Sequence, residues 1–188
     1  MKGHLFQVGA GVLAAFLFVV PWGRSDGPAA RSQAVSRDAA RAAFARIQRL
    51  EGKWHAKSTR GWTDAFELRK LARGTAVGML SFAGNLESAM VTVFHLDGDR
   101  LMVTHYCEAG NHPRLAATSY EDGGRKITFT FLDATNLASR DAGHMDKLVL
   151  ALIDDDHFNE QWTWYQNGNE RWMEAIENQR VGPTEAKP

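Results

Sequence analysis

The segment Glu87–Arg114, ESAMVTVFHLDGDRLMVTHYCEAGNHPR, decides the fold class. Asp97-Gly98 separates two β-branched and apolar runs, and Asp-Gly there supplies the positive φ angles of a two-residue type I′ turn. With Leu96 paired to Asp99, Thr92 falls opposite Val103, Met90 opposite His105 and Ser88 opposite Cys107, and Phe94 and Leu101 share that face. The other face holds Val91, Val93, His95, Arg100, Met102, Thr104 and Tyr106. Both faces are largely apolar, as expected for a sheet covered on both sides. Beyond Cys107, the residues Gly110, Asn111 and Pro113 predict a loop from Glu108 to Arg114, because they do not continue a strand.

Outward from this hairpin, turn signals recur at short intervals, the pattern of an antiparallel sandwich or barrel. Ten strands are predicted: 54–60, 65–71, 75–82, 89–96, 100–107, 114–121, 126–133, 146–153, 157–166 and 171–180. Gly123-Gly124 and Asn167-Gly168 mark further hairpin turns. A meander of this kind has two edges, and closure removes both. The expected architecture is therefore mainly β, an antiparallel up-and-down barrel of about 8–10 strands. A short N-terminal helix should pack on it: Ser36 is a candidate N-cap, Ala40, Ala43, Phe44, Ile47 and Leu50 recur at helical spacing, and Gly52 ends it.

Gly52-Lys53-Trp54 opens the first strand directly after that helix, and Arg180 closes the last. In this the chain resembles the calycin group, the lipocalin-like and fatty-acid-binding-protein-like barrels. The resemblance implies that Trp54 packs across Arg180 at the closed end of the barrel, and it covers roughly residues 47–180. The signature His105-Tyr106-Cys107, Gly110-Asn111 and Pro113-Arg114 is also similar to that of exported bacterial proteins with no assigned activity.

The chain has 188 residues, length enough for one domain with a real core. Beyond residue 34 there are 19 basic against 21 acidic groups, a formal charge of −2 with no basic face for nucleic acid. Lys2 precedes an apolar run from Leu5 to Val20, nearer in length to a signal-peptide core than to a spanning helix. Residues 1–34 are read as a signal peptide or N-terminal anchor plus a linker from Pro21 to Val35. Residues 36–181 form the barrel, and 182–188 a tail. The protein is expected to be exported, periplasmic or secreted, or membrane-anchored if the leader is not cleaved. Cys107 is the single cysteine, so no internal disulfide exists.

Among chemically capable residues, His105 and Cys107 share a face roughly 6–7 Å apart, too far for a direct thiolate–imidazole bond. Cys107 is read as a small core hydrophobe. His105 is open to three roles: satisfied core residue, haem or metal ligand, or hydrogen-bond partner of a ligand. No zinc, phosphate-loop or nucleophile-elbow motif is present. Asp154-Asp155-Asp156 reads as a solvated turn. In the final hairpin, pairing Gln166 with Asn169 sets Trp164 against Arg171, Thr163 against Trp172, Trp162 against Met173 and Gln161 against Glu174. Each face then mixes aromatic and polar groups, which suits a barrel holding a guest; an exposed Trp164–Arg171 stack is the alternative.

These readings converge on an exported binding protein for a small apolar or amphiphilic ligand held inside the barrel. His105, Tyr106, Asn111 and Arg114 should rim the pocket with Trp162 and Trp164 on its wall, and the guest should carry a polar or anionic end to suit Arg114. No catalytic residue, metal or cofactor is assigned. The alternatives are an isomerase- or hydrolase-type enzyme using His105 as acid or base, and a structural or partner-binding domain.

Overall fold

The computed structural model describes residues 28–85 and 87–182, with side chains from residue 37 onward; the leader and the tail beyond Gly182 lie outside them. One helix, α1 (Pro28–Arg49), precedes ten strands: β1 (Gly52–Ser58), β2 (Thr63–Leu71), β3 (Ala76–Ser81), β4 (Met90–Asp97), β5 (Arg100–Tyr106), β6 (His112–Glu121), β7 (Lys126–Thr135), β8 (His144–Leu152), β9 (His157–Gln166) and β10 (Asn169–Arg180). Each strand pairs with the next in antiparallel sense, and β10 returns to β1, so the sheet is a closed up-and-down barrel with no free edge. All ten expected strands are present. The helix begins at Pro28, so residues 28–35, read as linker, belong to its first turns, and Ser36 is not its N-cap. Proline is compatible with a first helical turn, and Ala29, Ala30 and Ala34 are strong helix formers.

The α1 face of Ala40, Ala43, Phe44, Ile47 and Leu50 is buried in the same core as Trp54, Phe94 and Phe129. Side chains of its exposed face bind the turns at this end of the barrel. Gln48 donates to the Gly74 carbonyl at 2.7 Å and Arg46 to the Gly123 carbonyl at 2.9 Å, while Arg37 lies 3.9 Å from Asp99. One end of the barrel is thus plugged.

Trp54 and Arg180 are cross-strand partners at this closed end. The guanidinium lies 4.4 Å from the centre of the fully buried indole, whose Nε1 donates to the Leu50 carbonyl at 2.8 Å. Arg180 also donates to the carbonyls of Glu51 (2.9 Å), Arg49 (3.3 Å) and Asp155 (2.7 Å) and to the Asp156 carboxylate (3.0 Å). It therefore satisfies carbonyls left open where α1 ends and ties the helix to the β8–β9 turn. Gly52 is required beside it: its φ is +142°, and a Cβ there would come within 2.6 Å of the Arg180 Nη1.

Two registers differ from expectation. In the β4–β5 hairpin Asp97 pairs with Arg100, so the turn residues are Gly98 and Asp99 and the ladder is displaced by two residues: Thr92 faces His105, and Phe94 faces Val103. Only Gly98 has positive φ, at +60°, which fits a type II′ turn with Gly first and not the type I′ turn expected of Asp97-Gly98. A displacement of two preserves the faces, so Thr92, Phe94, Leu101, Val103 and His105 still point inward together. In the β9–β10 hairpin the pairs Gln166–Asn169, Trp164–Arg171 and Thr163–Trp172 occur as expected, but a bulge follows. Trp162 then faces Glu174, not Met173, and Gln161 faces Ala175. The extra residue moves Glu174, Ile176 and Asn178 to the inner face.

Candidate functional site

The end of the barrel opposite α1 contains a cavity of about 40 Å³. Alternation along the strands delivers Phe66 from β2, Met79 from β3, Thr92 from β4, His105 from β5, and Glu160 and Trp162 from β9 to its wall, and the β10 bulge adds Glu174 and Asn178. Trp62 and Phe82 also line it, packed edge to face at 4.9 Å between ring centroids on the β1–β2 and β3–β4 loops. A volume of this size accommodates a few water-sized groups. Below it the barrel is filled by its own rings, with Phe158 stacked edge-on against Trp54 (4.7 Å) and Phe66 (6.3 Å).

His105 is only 4% exposed. Its Nδ1 shares a 2.9 Å hydrogen bond with Oγ1 of its cross-strand partner Thr92, and its ring lies 4.9 Å from Trp162 across the lumen. Burial with no charged partner holds its pKa down at about 4, so the imidazole is neutral at neutral pH and too weak a base for acid–base work there.

The polar groups opposite it were not anticipated from sequence. Glu160 and Asn178 are each 2% exposed, and Asn178 Nδ2 donates to Glu160 Oε2 at 3.4 Å. Ser58 donates to Glu174 Oε2 at 2.5 Å. Burial pushes the Glu160 carboxyl up to about 7; the Asn178 hydrogen bond opposes this and the nearby Glu174 charge adds to it. Glu160, not His105, is therefore the group able to exchange a proton near neutrality. Three buried atoms of the lining residues, His105 Nε2, Glu160 Oε1 and Asn178 Oδ1, have no hydrogen-bond partner among the described residues. The sequence signal for Glu160 was a carboxylate set two residues from both Phe158 and Trp162 on an otherwise apolar face. Glu174 gave no such signal, because the bulge decides its direction.

Of the residues expected at one pocket, the structure brings together only His105 and Trp162. Tyr106 follows His105 on the strand and faces outward, 47% exposed, with its ring 4.9 Å from His112. Arg114 is on strand β6, which begins at His112, and not on a loop. The β5 ladder stops at Thr104–Arg114, one residue short of Pro113, which has no N–H to give it. Arg114 points to solvent and forms a two-pronged ion pair with Asp133, its Nε 2.6 Å from Oδ1. That pairing removes the reason for expecting an anionic guest. Asn111 is buried outside the cavity lining: Nδ2 donates to the Gly143 carbonyl at 2.8 Å, and its backbone carbonyl accepts from the Cys107 backbone N–H at 3.2 Å, closing the short 107–111 loop. Trp164 packs beneath Gly143 and outside the cavity wall. The loop leading into β8 is anchored separately, by Arg140 stacked 3.7 Å from Tyr165 and 4.4 Å from Phe131 and bonded to buried His144 and Asp146.

Cys107 is half-buried against the core, and burial raises its thiol pKa, which keeps it a thiol. Asp154 and Asp156 bind His157 and Arg180 in an exposed turn, and no group of three or more potential metal ligands is assembled among the described residues. No family model matches the chain, and no curated protein matches it either.

Proposed function

We propose that this protein is an exported, lipocalin-like binding barrel that holds a small, partly apolar ligand in the end of the barrel away from α1. The carrying observation is the cavity itself: apolar side chains, aromatic and methionine foremost, form most of its wall, and a few buried polar groups enter from β4, β5, β9 and β10. Sites for small molecules have this composition, with apolar surface supplying affinity and a few polar groups fixing orientation. The closed sheet and the helical plug at one end are compatible with a calycin-type container. A cavity of about 40 Å³ limits the buried part of the guest to a few heavy atoms, with the remainder passing Trp62 and Phe82.

Native mass spectrometry of protein purified from its own host tests this. The expected result is a co-purifying small molecule that is released on unfolding and lost from Ala56→Leu, which fills the cavity. A second reading is favoured by the packing below the cavity: a barrel filled by Trp54, Phe66, Phe94, Phe129 and Phe158 can serve as a structural or partner-binding domain. Wild-type protein with no bound molecule would select it.

A further inference from the structure

Resting on that reading, we propose that the buried end of the guest is a small amine in its protonated form, received by Glu160 and Asn178. Two fully buried side-chain oxygens of the residues lining the cavity, Glu160 Oε1 and Asn178 Oδ1, have no partner among the described residues, and both are acceptors. An ammonium group offers three donors and accepts nothing, so it matches such a set where a carboxylate or phosphate cannot. His105 Nε2, also unpaired, supplies a third acceptor when its proton sits on Nδ1 and is given to Thr92 Oγ1.

The charges agree with the hydrogen-bonding inventory. The ionisable residues lining the cavity are Asp64, Glu160, Glu174 and His105, and neither Lys nor Arg is among them. Asp64 is already engaged through both oxygens by the backbone N–H groups of Ala65 and Phe82, and Glu174 through Oε2 by Ser58, whereas Glu160 carries a carboxylate oxygen that is fully buried and unpaired. An anionic guest would enter this low-dielectric space against carboxylates with no cation to meet it. The Trp162 indole, also on the wall, adds an aromatic surface suited to an alkylammonium.

The test uses the full chain and three probes with the same three-carbon chain length, n-propylamine, n-propanol and propionate, titrated at pH 7.5 and followed by the NMR resonances of the tryptophan indole N–H groups and the cavity amides. Propylamine should bind about tenfold or more tightly than propanol, equivalent to one charge-assisted hydrogen bond, and propionate should not bind. Glu160→Gln should remove most of the preference for the amine over propanol. Propanol or propionate binding as tightly as the amine overturns the amine assignment and leaves the cavity reading standing. Failure of all three probes to move the cavity resonances overturns both. The ranking on the unmodified protein decides the matter even if Glu160→Gln does not fold.

Discussion

Glu160 and His105 are buried near one cavity with their pKa values displaced in opposite directions, and their effects on stability should mask each other. Glu160 titrates at about 7 in the folded protein against 4.5 in the unfolded chain, so the folded state holds the proton more tightly. Its contribution is present at low pH and is lost as pH rises from about 4.5 to 7. His105 titrates at about 4 folded against 6.5 unfolded, so here the unfolded chain takes the proton. That contribution is present above pH 6.5 and is lost as pH falls towards 4. At 1.36 kcal/mol per pH unit, each amounts to at most roughly 3 kcal/mol. Between about pH 4.5 and 6.5 the two slopes are one proton each and opposite in sign, so the wild type shows little net dependence from this pair. Glu160→Gln and His105→Gln separate them. Urea unfolding at pH 4.5, 5.5, 6.5 and 7.5, followed by tryptophan fluorescence, gives the stability of each variant relative to wild type, and exposed carboxylates common to all three proteins cancel. The Glu160→Gln difference should become more favourable by up to about 3 kcal/mol from pH 4.5 to 7.5, and the His105→Gln difference should be most favourable at pH 4.5 and decline to pH 6.5 and above. A difference flat across this range for either variant would refute the claim that burial fixes that group's protonation.

Other outcomes follow from the packing. Arg180→Ala should cost on the order of 2 kcal/mol in urea unfolding, more than its contact with Trp54 alone would account for, because helix-end carbonyls lose a charged donor. Arg114→Ala should change stability by less than about 1 kcal/mol and leave propylamine binding as in wild type, since it removes only a solvent-exposed ion pair with Asp133. Gly143→Ala should destabilise by about 1–3 kcal/mol and alter the near-UV circular dichroism of tryptophan, because the added methyl overlaps the Trp164 indole.

Much of this architecture follows from local rules. Ten runs of alternating apolar residues set the strands, Asn167-Gly168 set the last hairpin turn, and the period of two put His105, Phe94 and Trp162 on inner faces. The Gly52-Lys53-Trp54 segment, with Arg180 at the far end of the chain, indicated which end of the barrel would be closed, and their contact is found there. What alternation cannot settle is the rung at which two strands meet, because a shift of two residues leaves every face unchanged. The closed ladder placed the turn at Gly98-Asp99 and so set Thr92, not Met90, against His105. Nor does alternation reveal an inserted residue. The bulge after Trp172 reverses the faces of the rest of β10, bringing Glu174 and Asn178 inside, while the early start of β6 leaves Arg114 in solvent with Asp133. Glu174 and Asn178 join Glu160 in the cavity only through this bulge, which is stabilised by the strands on either side of it and has no residue type that marks it in the sequence.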